Sequence, residues 1–207
     1  MTDQEKSTRG YFDRMAKRWD DFGDAEAIGK RLESLVGMFD IPNGGIVLDV
    51  GTGTGILHPW LLGAVGASGR VLAFDFSSCM LERAVKKRSC RNLVCFQADV
   101  TAIPLPGQAC DCVVCFAAFP HFYHKLQALQ EMVRVTKIGG RVLIAHLMSR
   151  RQIARHHHTS PEVSGHCLPP EEEMKSLLAE AGLENIAIQD EPGLYFAKGI
   201  KISACES

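Results

Sequence analysis

Apolar positions along this chain recur first at helical spacing and then at strand spacing. Tyr11, Met15, Trp19 and Phe22 lie three or four residues apart, and Ile28, Leu32, Leu35, Val36 and Phe39 repeat the pattern. Two amphipathic helices are therefore expected before residue 41. Pro42, Asn43, Gly44 and Gly45 break the chain, and short apolar runs bounded by turns follow. The strand candidates are Ile46–Val50, Arg70–Asp75, Leu93–Gln97, 111–117 and 141–145. Helical stretches lie between them. One carries Ile56, Leu57, Trp60, Leu61 and Ala64. The next starts at Ser77 or Ser78, either a good N-cap, and carries Leu81, Ala84 and Val85. A third carries Phe122, Leu126, Leu129 and Val133 and stops at Gly139-Gly140. Alternating strand and helix signals predict an α/β fold, a parallel sheet with helices on both faces.

The rhythm then breaks. Residues 149–168 are polar and histidine-rich without clear periodicity. Order returns at Pro169-Pro170, with Met174, Leu177, Leu178 and Ala181 on one helical face and Gly182 at its end. Two strand-like runs around Glu191-Pro192-Gly193 predict a C-terminal hairpin.

Charge narrows the partners. Lys+Arg total 23 against Asp+Glu 24, a net charge of −1, without the basic excess expected of a duplex-binding protein. No nucleic-acid partner is expected. No apolar run approaches the roughly 20 residues of a membrane span, and MTDQEKSTRG lacks a secretory core, so a cytoplasmic protein is expected. Of 8 cysteines, Cys110, Cys112 and Cys115 form C-x-C-x-x-C within an apolar strand-like run. Alternation sends Cys110 and Cys112 to one face and Cys115 to the other, so buried thiols are expected rather than a metal cluster.

The run Val47-Leu48-Asp49-Val50-Gly51-Thr52-Gly53-Thr54-Gly55 carries the chemistry. A strand enters a glycine-rich turn and then a helix, whose free N–H groups favour a ligand brought close to the backbone. Dinucleotide sites use such a turn too. Here, however, the glycines at 51, 53 and 55 give G-x-G-x-G rather than G-x-G-x-x-G. Asp49, two residues before the first glycine, does little for a pyrophosphate but suits a ligand bearing an ammonium and a sulfonium. The chain also offers no room for the separate substrate domain many nicotinamide enzymes carry.

VLDVGTGTG resembles motif I of the class I S-adenosylmethionine-dependent methyltransferases, and the likeness extends over nearly the whole chain. The resemblance implies a Rossmann-like, seven-stranded, mostly parallel sheet of order 3-2-1-4-5-7-6 with strand 7 antiparallel. It implies S-adenosyl-L-methionine as cofactor, held by Asp49, Gly51, Thr52, Gly53 and Gly55. Asp75 is placed on the ribose hydroxyls. Asp99, in FQADV, is placed on the adenine with Val100, and Phe76, Met80 and Phe116 stand beside them. DCVVCFAAFPHF resembles the segment lining the transfer cleft, and LQEMVRVTKIGGRVLIAH is similar to the family's helix, Gly-Gly turn and fifth strand. YFDRMAKRWDDF resembles the lid of the quinone-biosynthesis C-methyltransferase branch, which puts Tyr11 over the cofactor. One domain over 1–207 is expected, with 1–41 a helical lid and 149–168 an insertion over the substrate cleft. Plainer roles stay open. Asp49 can satisfy loop donors, Asp75 can charge a helix N-terminus, Asp99 can close a turn, and the aromatic residues of the lid can be core.

Methyl transfer needs alignment, exclusion of water and removal of a proton where the acceptor carries one. His121, where strand four exits, is the candidate base or orienting group, with His124 second; a capping or packing role for His121 is the alternative. His146, Arg150, Arg151, Arg155, His156, His157, His158 and His166 crowd the segment that follows. It reads as a solvated loop, as a cationic lid for an anionic acceptor, or as a cover that ligates metal or a metal-bearing acceptor. His146, Arg150, His157 and His166 are the substrate candidates; no resident metal is expected. The acceptor is expected to be a small molecule. Two other functions stay open, a non-catalytic S-adenosylmethionine-binding protein and an NAD-dependent oxidoreductase. Neither oligomeric state nor the accepting atom is indicated.

Overall fold

A computed structural model describes residues 2–21, 24–158 and 161–203; Phe22 of the first amphipathic pattern lies outside them. Five strands come first: β1 (Ile46–Val50), β2 (Arg70–Asp75), β3 (Leu93–Gln97), β4 (Cys110–Phe116) and β5 (Thr136–His146). The hairpin follows as β6 (Leu183–Glu191) and β7 (Leu194–Lys201). The sheet order is β3-β2-β1-β4-β5-β7-β6. Neighbours among β1 to β5 pair parallel, whereas β7 runs antiparallel to both β5 and β6. The order reverses between β1 and β4, and the C-terminal ends of those strands splay open there, where ligands of open α/β sheets bind.

Both faces are covered. Leu48, Val50, Val113, Cys115 and Ile144 pack on one side with Met132 and Met174. Val47, Val71, Val114 and Leu143 pack on the other with Leu32 and Leu61. The helices are α1 (Asp3–Met15), α2 (Ala25–Gly37), α3 (His58–Val65), α4 (Ser78–Lys87), α5 (Lys125–Val135), α6 (Arg150–His157) and α7 (Glu171–Glu180). Among the described residues no helix is long and apolar enough to cross a membrane.

Three expectations need correction. The register between β4 and β5 shifts between Cys110 and Cys112, and the bulge turns Cys110 over. It packs with Cys115 on one face while Cys112 packs on the other. All three thiols are buried, and burial pushes Cys110 and Cys112 up to about 12, so each is inert core. Second, α5 ends at Val135, and Gly139-Gly140 lies within β5 rather than at the helix end. Third, residues 150–157 are helical. Ser149 and Gln152 close a reciprocal capping box that starts α6, and only Ile153 and His157 of it are buried. Two apolar contacts in eight residues leave too little periodicity to read.

Candidate active site

The cleft opens where β1 delivers the glycine turn. Gly51 and Gly53 adopt left-handed backbone, φ 67° and 55°. A Cβ on Gly51 would stand 2.5 Å from that of Ala118, so the exit of β4 packs directly on the turn. A Cβ on Gly53 would meet nothing nearer than the Trp19 indole nitrogen at 3.9 Å. That peptide faces open cleft, as a ligand resting on the backbone requires.

Asp75 ends β2 beside this peptide. Its Oδ2 accepts the Gly53 N–H at 2.8 Å and its Oδ1 the Ser77 N–H at 2.9 Å. Burial outweighs those amides and holds the carboxyl up at about 6. Two carboxylate oxygens have about four acceptor positions, so capacity remains for a diol. Phe76, Met80, Asp99, Val100 and Phe116 line the same cleft. Asp99 also accepts the Thr101 N–H and O–H at 2.8 and 2.7 Å, closing its own turn.

Asp49 is not on the cleft wall. It is 2% exposed, beneath the loop, and its Oδ2 accepts the Thr52 hydroxyl at 2.6 Å. With its only proton given to Asp49, Thr52 must accept from His58 Nε2, 2.8 Å away. In that arrangement His58 carries its proton on Nε2, and among the described residues its buried Nδ1 has no hydrogen-bond partner. Burial holds Asp49 up at about 7 and His58 down at about 4. Gly55 lies against His58 rather than in the cleft. His58 was not among the sequence candidates, since a histidine opening a helix carries no distinctive signal.

Helix α1 and the 3₁₀ turn Ala16–Arg18 cross the cleft. Phe12 and Trp19 line it and Tyr11 does not, one position along the helix from the expected residue. The Phe12 ring stands edge-on to Trp19, Phe76 and His121 with centroids 5.5, 5.9 and 4.9 Å away. Polar ties seat the segment. Ser77 donates to Asp13 at 2.5 Å, Thr54 donates to Asp20 at 2.7 Å, and Asp20 pairs with Lys87 at 2.5 Å.

At the other end, Ala117 leaves β4 with φ 56°, and the 3₁₀ turn Phe119–His121 follows. His121 and His124 both line the cleft. Four histidines distant in sequence meet behind this wall. His121 Nδ1 is 2.9 Å from His166 Nδ1, and the His157 ring centroid is 4.9 Å from that of His121. His157 Nδ1 bonds the His166 carbonyl at 2.5 Å, and His146 faces the Phe116 ring at 6.1 Å. Burial, then mutual repulsion with the neighbouring histidines and Lys125, holds His121 well below the usual imidazole range. His146 is held at about 4 for similar reasons.

The structure does not bring Arg150 to this site. Its N–H bonds Asp190 at 2.8 Å, and its guanidinium lies 3.9 Å from the same carboxylate, beside the hairpin. No arginine or lysine lines the cleft among the described residues, so the cationic lid for an anionic acceptor is withdrawn. Among the described residues no three His, Cys, Asp or Glu side chains stand in metal-holding geometry. Tyr123, Thr8 and Trp19 line the cleft as well; nothing in their spacing marked Thr8 or Tyr123.

Comparison with known proteins agrees with this geometry. Residues 48–144 match a family profile described as a methyltransferase domain. The chain is 31% identical over 153 residues to the ubiquinone/menaquinone biosynthesis C-methyltransferase UbiE of Hahella chejuensis, covering 70% of this chain and 61% of that protein. It thus spans less than two thirds of that relative's length. A putative methyltransferase from Haloferax volcanii, solved with the Trm112 activator, superposes with TM-score 0.77 at 18% identity over 93% of this chain and 98% of that one. A SAM-dependent methyltransferase from Aquifex aeolicus gives TM-score 0.66 at 25% identity over 87% and 100%.

Proposed function

We propose that this chain is a class I S-adenosylmethionine-dependent methyltransferase, a reading that its match to a methyltransferase-domain profile supports, and that it methylates a small acceptor held between the exit of β4 and helix α1. One observation carries the reading: the glycine turn over Asp75 opens into the same cleft that His121 lines.

The residues present fit the cofactor. Asp75 offers its remaining lone pairs to the ribose hydroxyls, and the Gly51–Gly53 turn, whose Thr52 and Gly53 N–H groups are already given to Phe74 and Asp75, offers carbonyls to the ammonium of the amino-acid end. Phe76, Met80, Asp99 and Val100 frame the base, and Phe116 faces the transfer region. When bound, S-adenosylmethionine supplies an electrophilic methyl on a sulfonium leaving group. Asp49 acts from beneath, holding Thr52 and hence the turn; Gly55 and Tyr11 support the loop and the lid without touching ligand. Residues 1–41 serve as the lid within a single domain over 1–207. Residues 149–168 back the acceptor end, His146, His157 and His166 standing behind His121.

His121 orients the acceptor and takes its proton at the nitrogen turned to the cleft, with His124 second at the rim. Burial and cationic neighbours keep this imidazole neutral and able to accept. The wall around it is largely aromatic, with the Glu5 carboxylate 3.8 Å from His124 Nε2 at the same end, which favours a ring-bearing acceptor with an ionisable O–H or N–H. The relatives' role in quinone biosynthesis points the same way. The seven described cysteines are free thiols, in keeping with a reducing, cytoplasmic setting.

The test is His121→Ala, with S-adenosylhomocysteine binding and S-adenosylhomocysteine release measured separately across neutral hydroxylated ring acceptors. Binding should stay within about threefold while release falls about 10²–10⁴-fold. Unchanged release would overturn the role of His121.

A further inference from the structure

Proton removal at His121 poses a problem that the surroundings of the ring make acute. The groups facing it are His166, His157 from α6, His146 from the end of β5 and Lys125 from α5. Helix α1 offers the Phe12 ring. None of these supplies negative charge, so a proton taken by His121 cannot rest there as an imidazolium.

An unbroken hydrogen-bonded line leads away from it. His121 Nδ1 meets His166 Nδ1 at 2.9 Å, His166 Nε2 meets Tyr123 Oη at 3.1 Å, and Tyr123 Oη meets Thr8 Oγ1 of α1 at 2.8 Å. The Gln4 carbonyl lies 3.4 Å from the same phenol. The His121 end is the more buried, and Tyr123, which lines the cleft as well, is 39% exposed. A contact between two Nδ1 atoms holds one proton, so the two imidazoles must adopt opposite tautomers.

We propose that His166 and Tyr123 complete, with His121, a relay that carries the acceptor's proton from the cleft to solvent beside α1. The proposal rests on His121 as the proton-accepting group. In the resting line the Tyr123 hydroxyl donates to Thr8 and accepts His166 Nε2–H. His166 Nδ1 then accepts His121 Nδ1–H, which leaves a lone pair on His121 Nε2 toward the cleft. On transfer the acceptor's O–H or N–H bond breaks and a bond to His121 Nε2 forms. The Nδ1 proton passes to His166 Nδ1, the His166 Nε2 proton passes to Tyr123 Oη, and the phenol's former proton goes to water. Both rings stay neutral throughout and exchange tautomers. After product leaves, water takes the Nε2 proton and returns one at Tyr123, so each cycle delivers a single proton to solvent. Thr8 ties the line to α1, and the relay is complete when that helix is seated.

The relay is testable without an acceptor. Long-range ¹⁵N spectra of histidine-labelled full chain, assigned with His121→Ala and His166→Asn, should show neutral His121 as the Nδ1–H form and His166 as the Nε2–H form at pH 7. Tyr123→Phe keeps the ring, removes the hydroxyl and should turn both into tautomer mixtures. With any acceptor that supports S-adenosylhomocysteine release, Tyr123→Phe should lower kcat about tenfold at unchanged KM. Added imidazole buffer should restore most of that loss, which a packing defect would not allow. Unchanged tautomers in Tyr123→Phe, or loss of kcat without buffer rescue, overturns the relay. If His121→Ala alone abolishes turnover in that case, the base reading survives. If His121→Ala turns over normally, that reading falls and the relay falls with it.

Discussion

At Asp75 burial and hydrogen bonding act in opposite directions on one carboxyl group. Burial wins and the group titrates near 6, although the cofactor's diol needs it ionised. Affinity for S-adenosylhomocysteine should therefore weaken as pH falls through about 6, and Asp75→Ala should weaken it about 10–100-fold at pH 8 with the far-ultraviolet spectrum preserved. A titration series across pH 5–8 checks both. Asp49 differs in sign of consequence. Its folded value near 7 lies above the ordinary 3.8 of an aspartate, so the native state holds the extra proton between those values and pays for ionisation above them. Asp49→Asn keeps an acceptor for Thr52 and removes that cost. Its Tm should exceed the parent's at pH 8, and the difference should shrink steadily between pH 7 and pH 4. Gly51 and Gly53 were legible because a turn of fixed spacing dictates them, and Asp75 and Asp99 only through the family resemblance; Gly55, in the same spacing, lies off the cleft. Phe12 in place of Tyr11 was not, because both fit an amphipathic pattern and only docking decides which ring turns inward.

At the scale of elements, the glycine turn and the lid separate stability from binding. Gly51→Ala meets Ala118 at 2.5 Å in left-handed backbone and should cost about 2–4 kcal/mol. Gly53→Ala faces open cleft, so it should cost about 1–2 kcal/mol while weakening S-adenosylhomocysteine about tenfold. Thermal melts and calorimetry on the pair check the split. In the lid, Asp20 ties the segment after α1 to Thr54 and Lys87. Asp20→Ala should leave Tm within about 2 °C, since exposed pairs contribute roughly 0–1 kcal/mol, yet raise the ligand off-rate about three- to tenfold. Helix α6 was the element least legible in sequence. Its capping box was present at Ser149 and Gln152, but Ile153 and His157 alone give no apolar stripe. The bulge that turns Cys110 is equally silent, because it depends on how β4 registers against β5.

Across the whole molecule, the alternating strands and helices and the C-terminal hairpin followed from apolar runs and turn residues, since period and punctuation are local properties, whereas the strand order came only from the family resemblance. The meeting of His121, His146, His157 and His166 did not. Those residues come from the β4 exit, the end of β5, α6 and the segment before α7, and only the folded sheet brings them behind one wall. The same folding removes Arg150 to the hairpin, which turns an anticipated anion clamp into an aromatic, histidine-lined acceptor end. The switch point between β1 and β4 unites these halves, cofactor turn on one side and histidines on the other.

The most direct test is calorimetric titration of S-adenosylhomocysteine into the full chain and into Asp75→Ala at pH 8, with NADH as the control ligand. The parent should bind one equivalent with a dissociation constant of about 10 μM or tighter, the variant at least about tenfold more weakly, and NADH not at all. Absence of heat up to millimolar ligand, equal binding by parent and variant, or binding of NADH in its place would contradict the assignment of the cleft.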